Sequence, residues 1–218
     1  MTRRSPLLSA YAASAFELGD VYGMRIALRA TVQGLQSNFL ADLSALRRRL
    51  FIGAGAAQWL DQHDIPTPVR LLEYTELDEG AIIVRLHRQQ YLLVDGVQNS
   101  SYDALLDLPE SRDDNVLILA HEAAEIACGG PHVAALMAEF CAMDLATTGE
   151  NVWLPTRFAH CEVALRRVDF PAHYRIVCSP ADARFLFGVL EEVTLERGGV
   201  IVGFDDFRAL ADRGDETS

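Results

Sequence analysis

The sequence predicts an α+β fold in which antiparallel hairpins are packed by the helices that follow them. Three observations carry this reading. Two β-rich runs followed by a helical segment occur twice, at 81–108 and at 158–197. Between them, 115–145 reads as a strand, a Gly-Gly-Pro turn and a buried helix. A further stretch, 24–32, alternates apolar and polar side chains as a half-buried strand does. Helices that come after hairpins, instead of alternating one for one with strands, argue against a doubly wound α/β arrangement.

In chain order, residues 1–22 read as an extended or partly helical arm, with the Ser5-Pro6 pair marking a turn or cap. Met24, Ile26, Leu28, Ala30 and Val32 then alternate with Arg25, Ala27, Arg29 and Thr31. Ser37 or Asn38 can cap a helix whose apolar side carries Phe39, Leu40, Leu43, Leu46 and Leu50. Gly53 and Gly55 punctuate the chain, a short second helix spans 57–61, and Pro66 and Pro68 close the segment. The runs 81–86 and 91–94 form a hairpin joined by His87-Arg88-Gln89-Gln90, and Asn99 or Ser100 caps a short helix ending near Leu108.

The central stretch opens with an apolar run at 116–120 that 121–128 continues with mixed polarity, as one strand leaving a sheet interior. Gly129 and Gly130 break it. Pro131 has a preset φ and no N–H, which suits the first position of a helix. Val133, Leu136, Met137 and Phe140 lie at i, i+3, i+4 and i+7, on one face. In the second hairpin Ala159, Cys161, Val163 and Leu165 alternate with Phe158, His160, Glu162 and Ala164, and 173–178 returns. Ser179, Pro180 and Asp182 start a helix whose Leu186, Val189, Leu190 and Val193 face inward, and Gly198 stops it. The small, charged residues 211–218 read as a loose tail. The predicted organisation is an arm (1–22), one domain (23–210) and that tail.

The chain has 218 residues, is 50% hydrophobic and has a mean hydropathy of +0.10, enough apolar matter for a sizeable core. A net charge of -12 and a pI near 4.8 argue against a nucleic-acid or anionic-membrane surface. The only basic run, Arg47-Arg48-Arg49, is expected on a solvated helix face. All 19 basic side chains are arginine, which excludes Schiff-base chemistry and a lysine base. Cys128, Cys141, Cys161 and Cys178 form no C-x-x-C pair and sit in apolar segments, as small buried hydrophobes of a reducing compartment do. Arg3 and Arg4 ahead of an apolar stretch imitate a signal peptide, but Ser9, Tyr11 and Ser14 interrupt it, so a cytoplasmic location is expected.

Motifs for chemistry are sparse. The Gly129-Gly130-Pro131 turn lacks both the three-glycine dinucleotide register and the lysine of a P-loop, and reads as a packing turn. His121, Glu122 and Glu125 spell H-E-x-x-E, but the zinc helix needs a second histidine where Glu125 stands, and the segment looks extended. His160 and Cys161, neighbours on a strand, face opposite sides. No G-x-S-x-G elbow is present. Asp144 is the carboxylate to examine first, against the plainer reading of a helix-stop residue. No catalytic or metal-binding residue is assigned on these grounds.

Three segments carry a resemblance to a known family: EGAIIVRLHRQQYLLVDGVQNSSYDALLDL, NVLILAHEAAEIACGGPHVAALMAEFCAMDL and HCEVALRRVDFPAHYRIVCSPADARFLFGVLEEV. Their order resembles the aminomethyltransferase fold of the glycine cleavage T-protein, over roughly 79–200, with 23–78 divergent. Within that superfamily the chain looks most like the gamma subunit of heteromeric sarcosine oxidase and the related N-methylglutamate dehydrogenase subunit. Tyr91-Leu92-Leu93, Gly130-Pro131, Cys141 and Asp144-Leu145 carry the match, with a Ser5-Pro6-Leu7 opening similar to gamma-type chains. T-proteins place an aspartate after the glycine that opens the first hairpin, where here Gly80 precedes Ala81-Ile82-Ile83-Val84. They carry a Gly-Tyr-Thr-Gly-Glu loop in the second hairpin, where here the connection is Arg166-Arg167-Val168-Asp169-Phe170-Pro171.

The resemblance implies a catalytically silent subunit of a complex that oxidises an N-methyl amino acid. FAD or FMN, NAD and tetrahydrofolate would then reside in alpha-type and beta-type partner chains, and the first 75 or so residues would be candidates for the contact. The rival reading is a stand-alone folate-binding aminomethyltransferase-like protein of one-carbon metabolism, with Asp144 or Glu162 replacing the lost carboxylates. An adaptor on the same fold, unconnected with amine oxidation, is the third.

Overall fold

The computed structural model describes residues 3–11, 15–30, 37–98, 101–113, 115–145, 148–169 and 172–215. The chain begins with β1 (Arg3–Arg4), β2 (Phe16–Val21), β3 (Met24–Ala30), β4 (Phe39–Asp42) and β5 (Arg48–Ile52). Then come α1 (Ala56–Asp61), β6 (Tyr74–Glu76), β7 (Ile82–His87), β8 (Gln90–Val94), α2 (Asp103–Leu106), β9 (Ser111–Asp113) and β10 (Val116–Ala120). β11 (Ala124–Gly129), α3 (Val133–Phe140), β12 (Leu154–Phe158), β13 (Cys161–Val168) and β14 (His173–Cys178) follow. α4 (Pro180–Glu196), β15 (Val200–Val202) and α5 (Phe204–Asp215) complete it.

The chain divides into two compact units. The first comprises Met1–Ala45, Ala123–Glu150 and Leu154–Ser218. Its main sheet has the order β12-β13-β14-β11-β4-β15, antiparallel except for the β4–β15 pair. A smaller sheet, β1-β3-β2, turns at Tyr22-Gly23, both with positive φ, as a tight hairpin turn requires. α4 lies on β4 and β11, and α5 lies on β3 and β4. The core gathers Leu40, Ile126, Leu136, Phe158, Ile176 and Phe187 from β4, β11, α3, β12, β14 and α4.

The second unit comprises Leu46–Glu122 and Asn151–Trp153. Its sheet has the order β6-β7-β8-β5-β10-β9, each neighbouring pair antiparallel. α1 packs on β8 and β10, and Leu60 joins Phe51, Ile83, Leu93 and Ile118 in the core.

Several sequence expectations give way. The helix expected over 37–50 is two strands, β4 and β5: β4 is an inner strand paired with β11 and β15 and packed by α4 and α5, all four of its residues are buried, and such a strand has the apolar density of a helix face. The run 116–128 is two strands in different sheets, broken at 121–123. Pro131 precedes the helix instead of opening it; His132 is the N-cap residue, and its N–H donates to Asn38 Oδ1 at 3.0 Å. The second hairpin has an extra strand, β12, and Ala159 and His160, both with positive φ, turn the chain into β13.

At the ends of the chain, the expected arm contains β1 and β2, and its Leu7 and Tyr11 lie in the core. The expected tail is helical as far as Asp215, in α5. Arg47 and Arg48 are not solvated: Arg47 is held by Asp95 at 2.9 Å, by Asp107 at 3.0 Å and by Asp103, and Arg48 is buried. The strand expected over 24–32 is found as β3, Met24–Ala30, while residues 31 and 32 and the Asn99 or Ser100 cap lie outside the described residues. Among the described residues, no helix is long and apolar enough to cross a membrane.

Candidate functional site

Buried polar groups of the first unit form a linked series. Asp42, at the end of β4, accepts from Ser5 Oγ and from the N–H of Ser44 at 2.9 Å, while its own N–H donates to Tyr11 Oη at 2.9 Å. Ser44 Oγ accepts from the N–H of Glu125 at 3.2 Å. The Glu125 carboxylate is paired with Arg175 Nε across β11 and β14, with both side chains at most 3% exposed. Burial, then the Asp42 carboxylate, push the Tyr11 phenol well above its ordinary range, so it stays neutral. These acids already have partners inside the protein. They hold the N-terminal segment on the sheet and tie two strands together.

A second group sits where β13 passes into β14. Arg167 and Tyr174 face each other in register, and Arg167 Nε pairs with Asp169 at 2.8 Å. Burial raises the Tyr174 phenol; Arg167 opposes that shift, and Asp169 and Asp144 add to it. The structure thus brings Asp144, singled out in the sequence, within electrostatic reach of the second-hairpin connection. It does so from beyond α3, which ends at Phe140, so Asp144 is not the helix-stop residue. Tyr174 was missed in the sequence, although its place opposite Arg167 follows once the hairpin register is known. A neutral phenol, an ion pair and an exposed carboxylate can bind a polar group.

The other candidates are dispersed. Ala81, Ile82, Ile83 and Val84 are at most 1% exposed, so this stretch offers no polar side chain to orient a pterin ring. At the second hairpin, the Arg167 guanidinium is already neutralised by Asp169. The residues at these two places do not fit a folate as T-proteins are expected to hold it. Glu162 is exposed on β13, in register with Arg157. His121 and Glu122 lie in the second unit and Glu125 in the first, and burial followed by the nearby Arg48 lowers the His121 imidazole, which is neutral at pH 7. No cluster of three metal-ligating side chains occurs among the described residues. Burial pushes the Cys128 thiol up to about 12, the opposite of activation.

An open cleft of about 590 Å³ in the first unit lies between the end of α3, the Ala159-His160 turn and α4. Phe140, Phe185 and Val189 give it an apolar wall, with Arg157 and His160 at its edge. Glu139, also in its lining, is paired with Arg197.

A scan against protein-family models gave no match, and a sequence search of curated proteins gave none. The structure is similar to aminomethyltransferase T of the glycine cleavage system from Bartonella henselae, with a TM-score of 0.68 and 18% identity. That match covers 97% of this chain but only 61% of the other, so the chain spans about three fifths of that protein. It is also similar to a chain of the heterotetrameric sarcosine oxidase from Corynebacterium sp. U-96, solved in complex with pyrrole 2-carboxylate. There the TM-score is 0.62 and the identity 19%, over 91% of this chain and 98% of that one. The chain therefore has an aminomethyltransferase-like α+β fold.

Proposed function

We propose that this chain is a non-catalytic, gamma-like subunit of a heteromeric oxidase or dehydrogenase acting on N-methyl amino acids of the sarcosine type. The observation that carries the reading is the likeness in fold to a chain of a heterotetrameric sarcosine oxidase, over 91% of this chain and 98% of that one, combined with two hairpin positions that offer no unpaired orienting carboxylate. The chemistry supports the same view. The first-hairpin stretch is apolar and buried, the second-hairpin arginine is neutralised, and the buried acids Asp42 and Glu125 are engaged internally. In this reading FAD or FMN, NAD and tetrahydrofolate belong to alpha-type and beta-type partner chains.

The second reading, a stand-alone folate-binding protein, is favoured by Asp144 lying within reach of Tyr174. Calorimetric titration of the purified chain with tetrahydrofolate separates the two. The subunit reading expects no heat of binding from the isolated chain and a stable complex on co-expression with flavin-binding amine oxidase-type chains from the same genome. Folate binding that Asp144→Asn abolishes would establish the alternative.

A further inference from the structure

The second unit holds a surface feature that its own packing does not explain. After Ile65, buried in the core, the loop 66–72 leaves Val69 84%, Leu71 48% and Leu72 36% exposed. Apolar side chains in a slack loop would need no explanation, but this loop is clamped. Arg85 Nη1 donates to the Val69 carbonyl and, at 3.4 Å, to that of Pro68, while its Nη2 donates to the Arg88 carbonyl at 3.4 Å. The guanidinium carbon lies 5.8 Å from the Tyr91 ring centroid, so the clamp is backed by an aromatic face. The Leu72 N–H donates to the Arg85 carbonyl at 2.8 Å, and the Leu72 carbonyl accepts from Trp153 at 2.7 Å.

Leu72 holds φ +60, a left-handed conformation unfavourable to a leucine and maintained only because its surroundings impose it. A strained, clamped backbone that presents three aliphatic side chains to water is preorganised for contact. Arg70, 3.4 Å from Glu73 in a loose surface pair and with its side chain 80% exposed, lies within the knob, and exposed Arg88 is joined to it through the Arg85 clamp. These are cations on a chain of net charge -12. The loop has no aromatic side chain to seat in a bilayer interface. Charge complementarity instead selects a protein surface with an apolar hollow and acidic margins.

We propose that loop 66–72 is a preformed docking knob for a companion protein chain, seating Val69 and Leu71 in an apolar pocket whose rim carries carboxylates opposite Arg70 and Arg88. This rests on the subunit reading above and adds to it the surface and the chemistry of the contact. The test measures binding of the full-length chain to purified flavin-binding amine oxidase-type chains from the same genome, by biolayer interferometry. V69S/L71S is expected to weaken binding at least thirty-fold with an unchanged melting temperature, since both side chains are exposed. R70E/R88E is expected to slow association at least five-fold at low salt, a difference that closes at 0.5 M salt. L195S, which removes an exposed leucine from the first unit, should bind as the parent does.

Parent-level affinity in V69S/L71S, or an equal loss in L195S, overturns the knob and leaves the subunit reading standing. Failure of the unaltered chain to bind overturns both. Binding to 3:1 phosphatidylcholine–phosphatidylglycerol vesicles that V69S/L71S abolishes overturns the proposal in favour of a membrane contact.

Discussion

The buried Glu125–Arg175 pair is the most exacting place to test the energetics of the first unit. The side chains are 1% and 3% exposed, on adjacent strands of the main sheet, with Glu125 in register with Val177 and Arg175 with Ala127. Glu125→Leu would leave the guanidinium in a site with little access to water. Breaking such a pair from one side costs about 3–5 kcal/mol, because the remaining charge is uncompensated. For a chain of 218 residues each kcal/mol moves the melting temperature by about 2–4 °C, so a fall of about 6–20 °C is expected. Replacing both partners, E125L/R175M, removes the stranded charge together with its mate. It should recover most of the loss and can exceed the parent by about 1–4 kcal/mol. Differential scanning calorimetry of the parent, the two single variants and the double variant closes the cycle. A double variant as unstable as Glu125→Leu would refute the reasoning, since the loss would then reflect packing and not an orphaned charge. A single variant that melts within about 2 °C of the parent would refute it from the other side.

Leu7→Ala tests whether the N-terminal segment belongs to the core: with Leu7 fully buried beside Tyr11, the expected loss is about 2–5 kcal/mol in urea unfolding, whereas a detached arm would show none. Two glycine substitutions should act in opposite directions on the same urea midpoint. At Gly130, φ is +108 and a Cβ would lie 2.5 Å from Asn38 Cα, so Gly130→Ala should cost about 1–3 kcal/mol; at Gly188, inside α4, a Cβ would meet only Arg184 Nη1, at 3.7 Å, and Gly188→Ala should add about 0.5–1 kcal/mol. With a disulfide reagent at pH 8, Cys128, whose thiol burial raises to about 12, should react only on unfolding. Cys161 is partly exposed, and burial and then Asp182 raise its thiol, so its thiolate fraction at pH 8 is below that of a free cysteine; Asp182→Asn lowers that pKa and should speed its labelling.

Elements whose signals are local were legible in the sequence. The β7–β8 hairpin follows from two β-rich runs around a polar turn, and α4 from its Ser179 cap, whose Oγ accepts from the Ala181 N–H, and from Gly198, which takes φ +71 past the end of the helix. What failed depends on distant partners. β4 is a strand because Phe39 pairs with Gly129 on one side and with Val200 on the other, and nothing between 37 and 50 records either neighbour. The missed β15 has the same cause, since its parallel partner β4 lies early in the chain. The candidate site divides in the same way. Asp144 and the 166–171 connection could be picked out by residue type, but Tyr174 enters only through the β13–β14 register, and the pairing of Glu125 with Arg175 only through the neighbouring strands.

The disposition of the charged groups bears on what an aminomethyltransferase-like body can do here. A catalytic site leaves part of its hydrogen-bonding capacity unspent, directed at space that a substrate will fill. In the first unit the buried acids are spent on the fold: Asp42 fastens Ser5 and Ser44, and Glu125 fastens Arg175. In the second, Arg47 is spent on Asp95, Asp103 and Asp107, whose carboxylates outweigh the burial that would otherwise lower its pKa. The groups held at a stability cost and not used internally are of another kind, the aliphatic side chains of loop 66–72 on a backbone that Arg85 fixes. The proposed subunit reading expects such a disposition, since a chain that works by contact displays apolar groups at its surface.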